Sequence, residues 1–226
     1  MTLLAVDHLS KSFGPVLASN DISLHLAAGE VLGVIGPEGA GKTTLLDLIG
    51  GQLRPDRGRV RLGDDDITRA GPRAISRLGV GRTFQQTAIF SSMTVRENVQ
   101  IATLSARDET YRVGRAARHR HISRANLLLH RLGLLDQADR NATALDPSDR
   151  RRLDLALALA HRPRLLLLDE PFAGMTPNAR AAVSDFLREL ASVEGVAILL
   201  ASDDPSAVDF LANRRLLVER GTVSPV

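Results

Sequence analysis

The feature that most constrains this chain is a glycine-rich loop placed between an apolar strand and a helix. The loop reads Gly36-Pro37-Glu38-Gly39-Ala40-Gly41-Lys42-Thr43-Thr44, after the apolar run 31–35 and before the helix-forming segment 45–49. In such a loop the backbone N–H groups point inward onto an anion. We expect Lys42 to reach the outer phosphates and the Thr43 hydroxyl to ligate Mg²⁺. The pattern therefore predicts a nucleoside triphosphate site rather than a glycine turn without chemistry.

The composition is that of a soluble domain able to bury one sizeable core or two small ones, and it says little about the substrate. The chain has 226 residues, no cysteine and a formal net charge of +3. Disulfide and thiolate chemistry are excluded, which fits a cytosolic protein. We see neither a signal-peptide pattern nor an apolar run approaching the ~20 residues that cross a bilayer. The basic stretch 112–124 is interpreted as a solvated helix face, with an anionic-lipid or nucleic-acid patch as the alternative.

Hydrophobic periodicity divides the chain into three parts. Segments 22–26 and 59–62 alternate apolar and polar residues, as half-buried strands do. From 94 to 160 the apolar spacing is helical. The last third has two apolar runs, 165–168 and 196–200, separated by a predicted helix over 177–193. Two such runs joined by one amphipathic helix predict a parallel sheet covered on both faces, so that a helical insert interrupts one α/β core.

A second candidate site follows the run of four leucines at 165–168. Asp169 and Glu170 end that strand and precede Pro171. The end of a buried strand beside the phosphate loop is a place where Asp169 can hold Mg²⁺ and Glu170 can orient or deprotonate an attacking water. Taken alone, two acids at a strand end can also merely cap the next helix. The glycine-rich loop favours the catalytic interpretation.

These motifs resemble the ATP-binding subunits of ABC transporters over nearly the whole chain. Segment 9–14, with Phe13, looks like the opening strand in which an aromatic ring stacks on adenine. Thr83-Phe84-Gln85 looks like the loop whose glutamine senses Mg²⁺ and water, and 94–99 looks like the segment that lies close to the membrane partner. The amino-acid sequences of segments 81–85 and 170–175 are most similar to those of the branched-chain amino-acid importer branch.

The resemblance implies a fold, a division of the chain and a set of site residues. The fold is α/β: a P-loop NTPase (RecA-like) parallel sheet core with an N-terminal antiparallel β part and an inserted helical subdomain. Residues 1–85 and 161–226 would form the nucleotide-binding core, and 86–160 the helical subdomain. The catalytic residues would be Glu170 and Gln85, and the metal ligands Thr43, Gln85 and Asp169. The nucleotide-binding residues would be Phe13, Gly36, Gly39, Ala40, Gly41, Lys42, Thr43 and Thr44.

Departures from the family pattern weaken the expected turnover more than the expected binding. Where the family reads Leu-Ser-Gly-Gly-Gln, this chain has Leu145 followed by Asp146, Pro147, Ser148 and Asp149. Acids there bring negative charge towards a polyanion, and Pro147 removes a backbone donor. The segment would still cap a helix well, which is the interpretation we favour. Asp203 occupies the place of the usual histidine, and Thr176 that of an acid or amide.

Two functions follow from the resemblance. In the first, the subunit binds ATP and Mg²⁺ and hydrolyses ATP to drive a membrane permease, with uptake of branched-chain amino acids or a related small solute. In the second, it binds nucleotide but is a weak or inactive regulatory partner in an asymmetric heterodimer. Either implies a second cassette subunit, permease subunits contacted through the helical subdomain, no nucleic acid, and a position on the cytoplasmic face of the inner membrane. A soluble cassette ATPase of DNA repair or translation would need a coiled-coil insert or tandem cassette that this chain lacks.

Overall fold

The computed structural model describes residues 1–83, 89–106 and 121–226. Its strands are β1 (Thr2–Phe13), β2 (Val16–Ala27), β3 (Val31–Ile35), β4 (Arg57–Leu62), β5 (Asp65–Asp66), β6 (Val80–Arg82), β7 (Leu165–Asp169), β8 (Ala197–Ser202), β9 (Arg214–Glu219) and β10 (Thr222–Pro225). Its helices are α1 (Lys42–Ile49), α2 (Pro72–Arg77), α3 (Val95–Ala106), α4 (Ile122–Arg131), α5 (Pro147–Leu159), α6 (Pro177–Ser192) and α7 (Pro205–Asp209). Short 3₁₀ turns occupy Leu135–Gln137 and Ala142–Ala144.

The central sheet has six strands in the order β10-β9-β3-β8-β7-β6, and every pair except β9 with β10 is parallel. Its middle strands are buried on both faces. Leu166 and Leu168 of β7 point into a cluster with the helices, whereas Leu165 and Leu167 point into a second cluster with α1 and the other sheet. This alternation explains the uninterrupted apolar run, since both faces of a covered parallel strand need apolar side chains. The predicted parallel sheet is confirmed.

A second, antiparallel sheet of four strands lies in the order β2-β1-β4-β5. The predicted alternation in β2 is present: Ile22, Leu24 and Leu26 are buried, while Ser23 and His25 face outward. Leu4 and Val60 are also fully covered in the cluster that joins this sheet to the central one. The N-terminal antiparallel part expected from the resemblance is therefore present.

Helices α3, α4 and α5 and the two 3₁₀ turns fill the middle of the chain in its described parts. The apolar spacing buries Leu128 and Leu129 of α4 and Leu153 of α5 in the helical cluster. That cluster continues into α6 and onto β7, so the helices share a core with one face of the central sheet. Within 1–83, 89–106 and 121–226 no helix is both long and apolar enough to cross a membrane.

Candidate nucleotide-binding site

A concave site lies where β3, β7 and β8 end at one edge of the central sheet. Its volume is about 570 Å³. Three segments supply its wall: the glycine-rich loop with the start of α1, the acidic ends of β7 and β8, and parts of the β2 and β9–β10 hairpins. The lining residues are Val16, Leu17, Ala18, Glu38, Gly39, Ala40, Gly41, Lys42, Thr43, Thr44, Asp169, Glu170, Asp203, Arg220 and Gly221. Ligands of parallel α/β sheets bind at such carboxyl-terminal edges.

The side chain of Lys42 bonds back to the glycine-rich loop. The Lys42 ammonium donates hydrogen bonds to the carbonyl oxygens of Gly36 at 2.7 Å and Pro37 at 3.0 Å. Helix α1 begins at Lys42 after Gly41, and no side chain caps it. The first N–H groups of a helix have no partner inside the helix, and the helix dipole adds positive potential there. The start of α1 therefore presents free amides and one ammonium group to the cleft, which suits an anion.

Two glycines of the loop are required because the loop passes close to the backbone of β9 and of β2. A Cβ at Gly36 would lie 2.3 Å from the carbonyl oxygen of Val218 in β9. Gly41 has φ of 108°, and a Cβ there would lie 2.3 Å from the carbonyl oxygen of Ala18 in β2. A side chain at either position would push the loop away from the two strands. The glycines thus fix the loop against the sheets, and at Gly39 the space beside the backbone is open.

Asp169 is a buried acid with an unused oxygen. Its backbone N–H donates to Thr83 Oγ1 at 3.1 Å, and its residue is 2% exposed. Burial raises the pKa of Asp169. A hydrogen bond with Thr43 and the charge of the Arg82 guanidinium act in the opposite direction and lower it. Its Oδ2 is buried without a hydrogen-bond partner in the described structure. An unsatisfied carboxylate oxygen beside the Thr43 hydroxyl is the oxygen chemistry that Mg²⁺ takes, usually with one or two protein ligands plus phosphates.

Glu170 follows directly and is turned towards β8. Its φ of 46° is a left-handed backbone conformation that is uncommon outside glycine. The turn brings its carboxylate to the end of β8, where Ser202 Oγ donates to Oε2 at 2.8 Å and the Asp203 N–H donates to Oε1 at 2.7 Å. Burial raises the pKa of Glu170, and the charge of Asp203 adds to this, while the two hydrogen bonds and Lys42 oppose it. A fixed carboxylate with a raised pKa is suited to act as a general base.

Asp203 lines the same cleft and is exposed. It places an acid at the position where the family resemblance expects a histidine. Its backbone amide, not its side chain, holds Glu170. The negative charge of the Asp203 side chain raises the pKa of Glu170.

The segment 146–149 forms a complete helix cap at the start of α5. Asp146 is the N-cap, and its Oδ1 accepts a hydrogen bond from the Asp149 N–H at 2.8 Å, with Pro147 at the first helical position. The favoured interpretation as a cap agrees with this geometry. Asp149 was expected to bring negative charge towards a polyanion, but its carboxylate is buried and bonded to Arg152 and Gln137. Thr176 similarly caps α6 by accepting from the Ala179 N–H.

Of the predicted nucleotide-binding residues, Phe13 and Gly36 are not part of the cleft lining. Phe13 is half exposed at the end of β1, and Lys11 Nζ lies 5.6 Å from its ring centroid. Its cross-strand partner Val16 does line the cleft. Gln85 lies outside the described residues.

The sequence did not predict the parts of the cleft wall that come from the β1–β2 hairpin and the β9–β10 turn. Val16, Leu17 and Ala18 arrive through the β1–β2 hairpin, and Arg220 and Gly221 through the β9–β10 turn. The Gly221 N–H donates to the Ala40 carbonyl at 3.2 Å, and the Asn20 N–H donates to the Gly221 carbonyl at 2.7 Å. These contacts join segments about 180 and about 200 residues apart along the chain. No local pattern at either segment signals them.

Comparison with known proteins places this architecture in a family. The model of the ABC transporter family matches residues 19–173. The chain belongs to the ABC transporter family. This cassette is 36% identical to the high-affinity branched-chain amino acid transport ATP-binding protein LivG of Salmonella typhimurium, over 97% of this chain and 89% of that protein.

Solved structures of cassettes have the same fold. A nucleotide-free ATP-binding cassette from an ABC transporter superposes with a TM-score of 0.88 at 27% identity, over 99% of this chain and 90% of that one. An ADP conformation of an ATP-binding cassette superposes with a TM-score of 0.85 at 27% identity over the same shares. The family resemblance and the P-loop fold predicted from sequence are both confirmed.

Proposed function

We propose that this ABC cassette binds ATP with Mg²⁺ in the cleft between the glycine-rich loop and β7, and that it hydrolyses ATP there. The observation that supports this most strongly is the convergence of Lys42, from the start of α1, with Asp169 and Glu170, from the end of β7, on one cleft. A phosphate cradle alone would fit any phosphate ligand. A cation, a metal-binding acid and a fixed base together fit attack by water on a terminal phosphate.

The binding half of the site consists of the loop and the start of α1. The free amides of the loop and the Lys42 ammonium would receive the phosphate oxygens, the ammonium exchanging its bonds to Gly36 and Pro37 for bonds to phosphate. Asp169 Oδ2 and the Thr43 hydroxyl would hold Mg²⁺. When bound, Mg²⁺ neutralises charge on the phosphate oxygens. Gln85 is proposed as a further ligand on the strength of the family resemblance.

The reactive half is Glu170. Its raised pKa improves its ability to take a proton from water, and the bonds from Ser202 and the Asp203 N–H fix where the carboxylate lies. Asp203 brings negative charge close to the same position, which opposes the build-up of charge on a departing phosphate. We therefore expect binding to be strong and turnover to be modest.

In the cell this subunit is proposed to drive uptake of branched-chain amino acids or a related small solute through a membrane permease. The support is the name of the LivG relative, which covers nearly the whole chain. The subunit would pair with a second cassette and lie on the cytoplasmic face of the inner membrane. In the proposed division, residues 1–85 and 161–226 bind nucleotide and 86–160 contact the permease.

The first experiment is a direct calorimetric titration of ATP with Mg²⁺ into the wild type and Lys42→Ala. We expect binding in the wild type and its loss in the variant. The control is Arg54→Ala, since Arg54 is an exposed cation that does not line the cleft. Equal affinity of Lys42→Ala and wild type would refute the proposed cradle.

The second experiment tests chemistry through Glu170→Gln. The amide keeps the size of the side chain but cannot take a proton, so we expect it to retain ATP and to lose turnover by about 10²-fold or more. Single-turnover hydrolysis measures the loss. An unaltered rate would assign hydrolysis to another subunit.

A second candidate function is favoured by the cap of α5. The resemblance expects the amides there to serve the nucleotide of the opposite subunit, but Asp146 already accepts the Asp149 N–H and Pro147 has no N–H to donate. Such a helix start would serve a partner's nucleotide poorly. In this alternative the chain is a nucleotide-binding but weakly active half of an asymmetric heterodimer.

A further inference from the structure

A cavity of about 320 Å³ lies between α4, α6 and the turn after α5, away from the nucleotide cleft. Its floor is apolar and its rim holds three arginines and one acid. The floor residues are Leu128, Leu159, Pro163, Phe186, Leu190 and Val196, and the rim residues are Arg124, Arg131, Arg162 and Glu194. None of these residues lines the nucleotide cleft.

The charges on the rim are not balanced. Arg131 is satisfied, since it binds Glu194 at 2.7 Å and Glu189 at 3.0 Å and its guanidinium lies 4.6 Å from the Phe186 ring centroid. Both nearby acids, Glu189 and Glu194, are thus paired with Arg131. Arg124 and Arg162 have no acidic partner in the described ranges, so two guanidinium charges are left over.

Arg124 is half-buried in an unfavourable environment. It donates one hydrogen bond, from Nη2 to the Leu159 carbonyl at 3.3 Å, and its Nε is buried with no acceptor in the described structure. Burial lowers the pKa of Arg124, and the charges of Arg162 and Arg131 lower it further, whereas the charge of Glu194 raises it. A buried donor without an acceptor and a like charge nearby are both relieved when an anion binds.

Arg162 reaches the rim through a strained backbone. Its φ of 52° is left-handed, which is uncommon for a side chain of this size. Its guanidinium has neither a hydrogen bond nor an ion pair within residues 1–83, 89–106 and 121–226. Among the residues that the structure describes, Arg162 is thus an unpaired cation beside another cation, at the mouth of the cavity.

We propose that this cavity, which we call the arginine pocket (Arg124, Arg131 and Arg162 over the floor residues named above), binds the phosphate group of a phosphate ester. The planar guanidinium fork matches phosphate oxygens and is the preferred partner of a doubly charged anion. The apolar floor selects an ester with an apolar part over inorganic phosphate. A free phosphate ester and a lipid headgroup share this chemistry. The proposal does not depend on the function of the nucleotide cleft.

The test is calorimetric titration of phenyl phosphate with ADP and Mg²⁺ present, so that the nucleotide cleft is occupied. Wild type is compared with Arg162→Gln, Arg124→Gln and the control Arg54→Gln, whose side chain is exposed and lies outside the arginine pocket. We expect affinity to fall about tenfold or more in the first two variants, as for a lost charge-assisted bond, and to be unchanged in the control. Arg162 is exposed, so its variant is expected to fold even if Arg124→Gln does not.

Thermal unfolding gives a second readout. Without ligand, Arg162→Gln should be at least as stable as wild type, because a like charge beside Arg124 is removed; with phenyl phosphate only the wild type should gain stability. Co-sedimentation with phosphatidylglycerol vesicles, against phosphatidylcholine vesicles, separates the sources. Vesicle binding lost in Arg162→Gln supports a lipid headgroup, and phenyl phosphate binding without vesicle binding supports a free ester. No binding of either probe, or binding that the variants leave unchanged, overturns the proposal.

Discussion

Ser202 Oγ donates a hydrogen bond of 2.8 Å to Glu170 Oε2, and so links the end of β8 to the residue after β7. The bond joins neighbouring parallel strands at the edge where the nucleotide cleft lies. It stabilises the charged form of Glu170 and therefore works against the burial that raises its pKa. This one bond affects both where the proposed base lies and when it is ionised.

Ser202→Ala should slow hydrolysis and move its pH dependence. Loss of a hydrogen bond to a carboxylate costs about 1.5–3 kcal/mol, so we expect turnover to fall about tenfold or more at neutral pH. The pKa of Glu170 should rise further, so the acid limb of the pH–rate profile should shift to higher pH. Steady-state hydrolysis across pH measures both effects. Ser206→Ala is the control, since Ser206 donates to Asp204 instead, and a profile unmoved by Ser202→Ala would contradict this role.

Asp169→Asn should stabilise the protein without nucleotide and abolish its response to MgATP. The pKa of Asp169 is raised in the folded state from a usual value of 3.8, so folding favours the protonated form. Its favourable contribution is complete below that usual value and is lost as pH rises through the raised pKa. The advantage of the variant should therefore be absent at the acidic end and grow towards neutral pH.

Urea unfolding at several pH values, with and without MgATP, measures this trade-off. Wild type should gain stability from MgATP through linkage, whereas Asp169→Asn should gain little. Asp64→Asn, an exposed acid outside the cleft, should follow wild type in both respects. An Asp169→Asn variant that keeps the full MgATP response would remove Asp169 from the proposed metal site.

Two residues of one hairpin, Phe13 and Val16, are candidates for contact with adenine. Phe13 stacking on adenine remains a prediction, whereas its cross-strand partner Val16 lies in the cleft wall. Base–aromatic stacking is worth about 1–3 kcal/mol. If Phe13 stacks, Phe13→Ala should weaken ATP about tenfold and leave inorganic triphosphate unchanged.

Val16→Ala is the matched variant on the opposite strand. It removes two methyl groups from the cleft wall and should weaken ATP binding by less than Phe13→Ala. Titrations of ATP and of triphosphate into both variants distinguish a base contact from a general loosening of the loop. Equal ATP affinity in Phe13→Ala and wild type would leave Val16, Leu17 and Ala18 as the base-proximal wall.

Local chemistry made much of this site predictable from the sequence. The four leucines before Asp169 indicated a parallel strand that is covered on both faces. Ligands of parallel sheets bind at the carboxyl ends of the strands, so Asp169 was expected at the cleft. The acidic segment 146–149 likewise contained its own cap signal, Asp146 followed by proline.

The unpredicted parts depend on contacts between distant segments. Arg220 enters the cleft because Gly221 bonds the Ala40 carbonyl, and no feature of either segment encodes that pairing. The environment of Asp149 was also hidden, since its partner Gln137 lies on a separate 3₁₀ turn. Charge alone could not tell an acid facing outward from one satisfied inside the helical cluster.

The cap of α5 yields the last prediction, which separates the two candidate functions. The triple variant Asp146→Ser, Pro147→Gly, Ser148→Gly provides a serine cap and restores the backbone N–H at position 147 while leaving the buried Asp149–Arg152 pair intact. Two glycines in the first turn should cost up to about 1 kcal/mol each in stability. If the natural segment disables the helix start, turnover should rise by about 10²-fold, the typical worth of one preorganised donor.

ATP hydrolysis by the purified chain, with thermal unfolding alongside, measures the outcome. Asp149→Gln alone is the control: it leaves Arg152 without its buried partner and should cost about 3 kcal/mol with no gain in turnover. A triple variant that folds but hydrolyses ATP at the wild-type rate would show that the cap does not limit turnover, because the restored N–H at position 147 would then have no phosphate to bind. A rise confined to the triple variant would instead identify the natural chain as the weak half of an asymmetric pair.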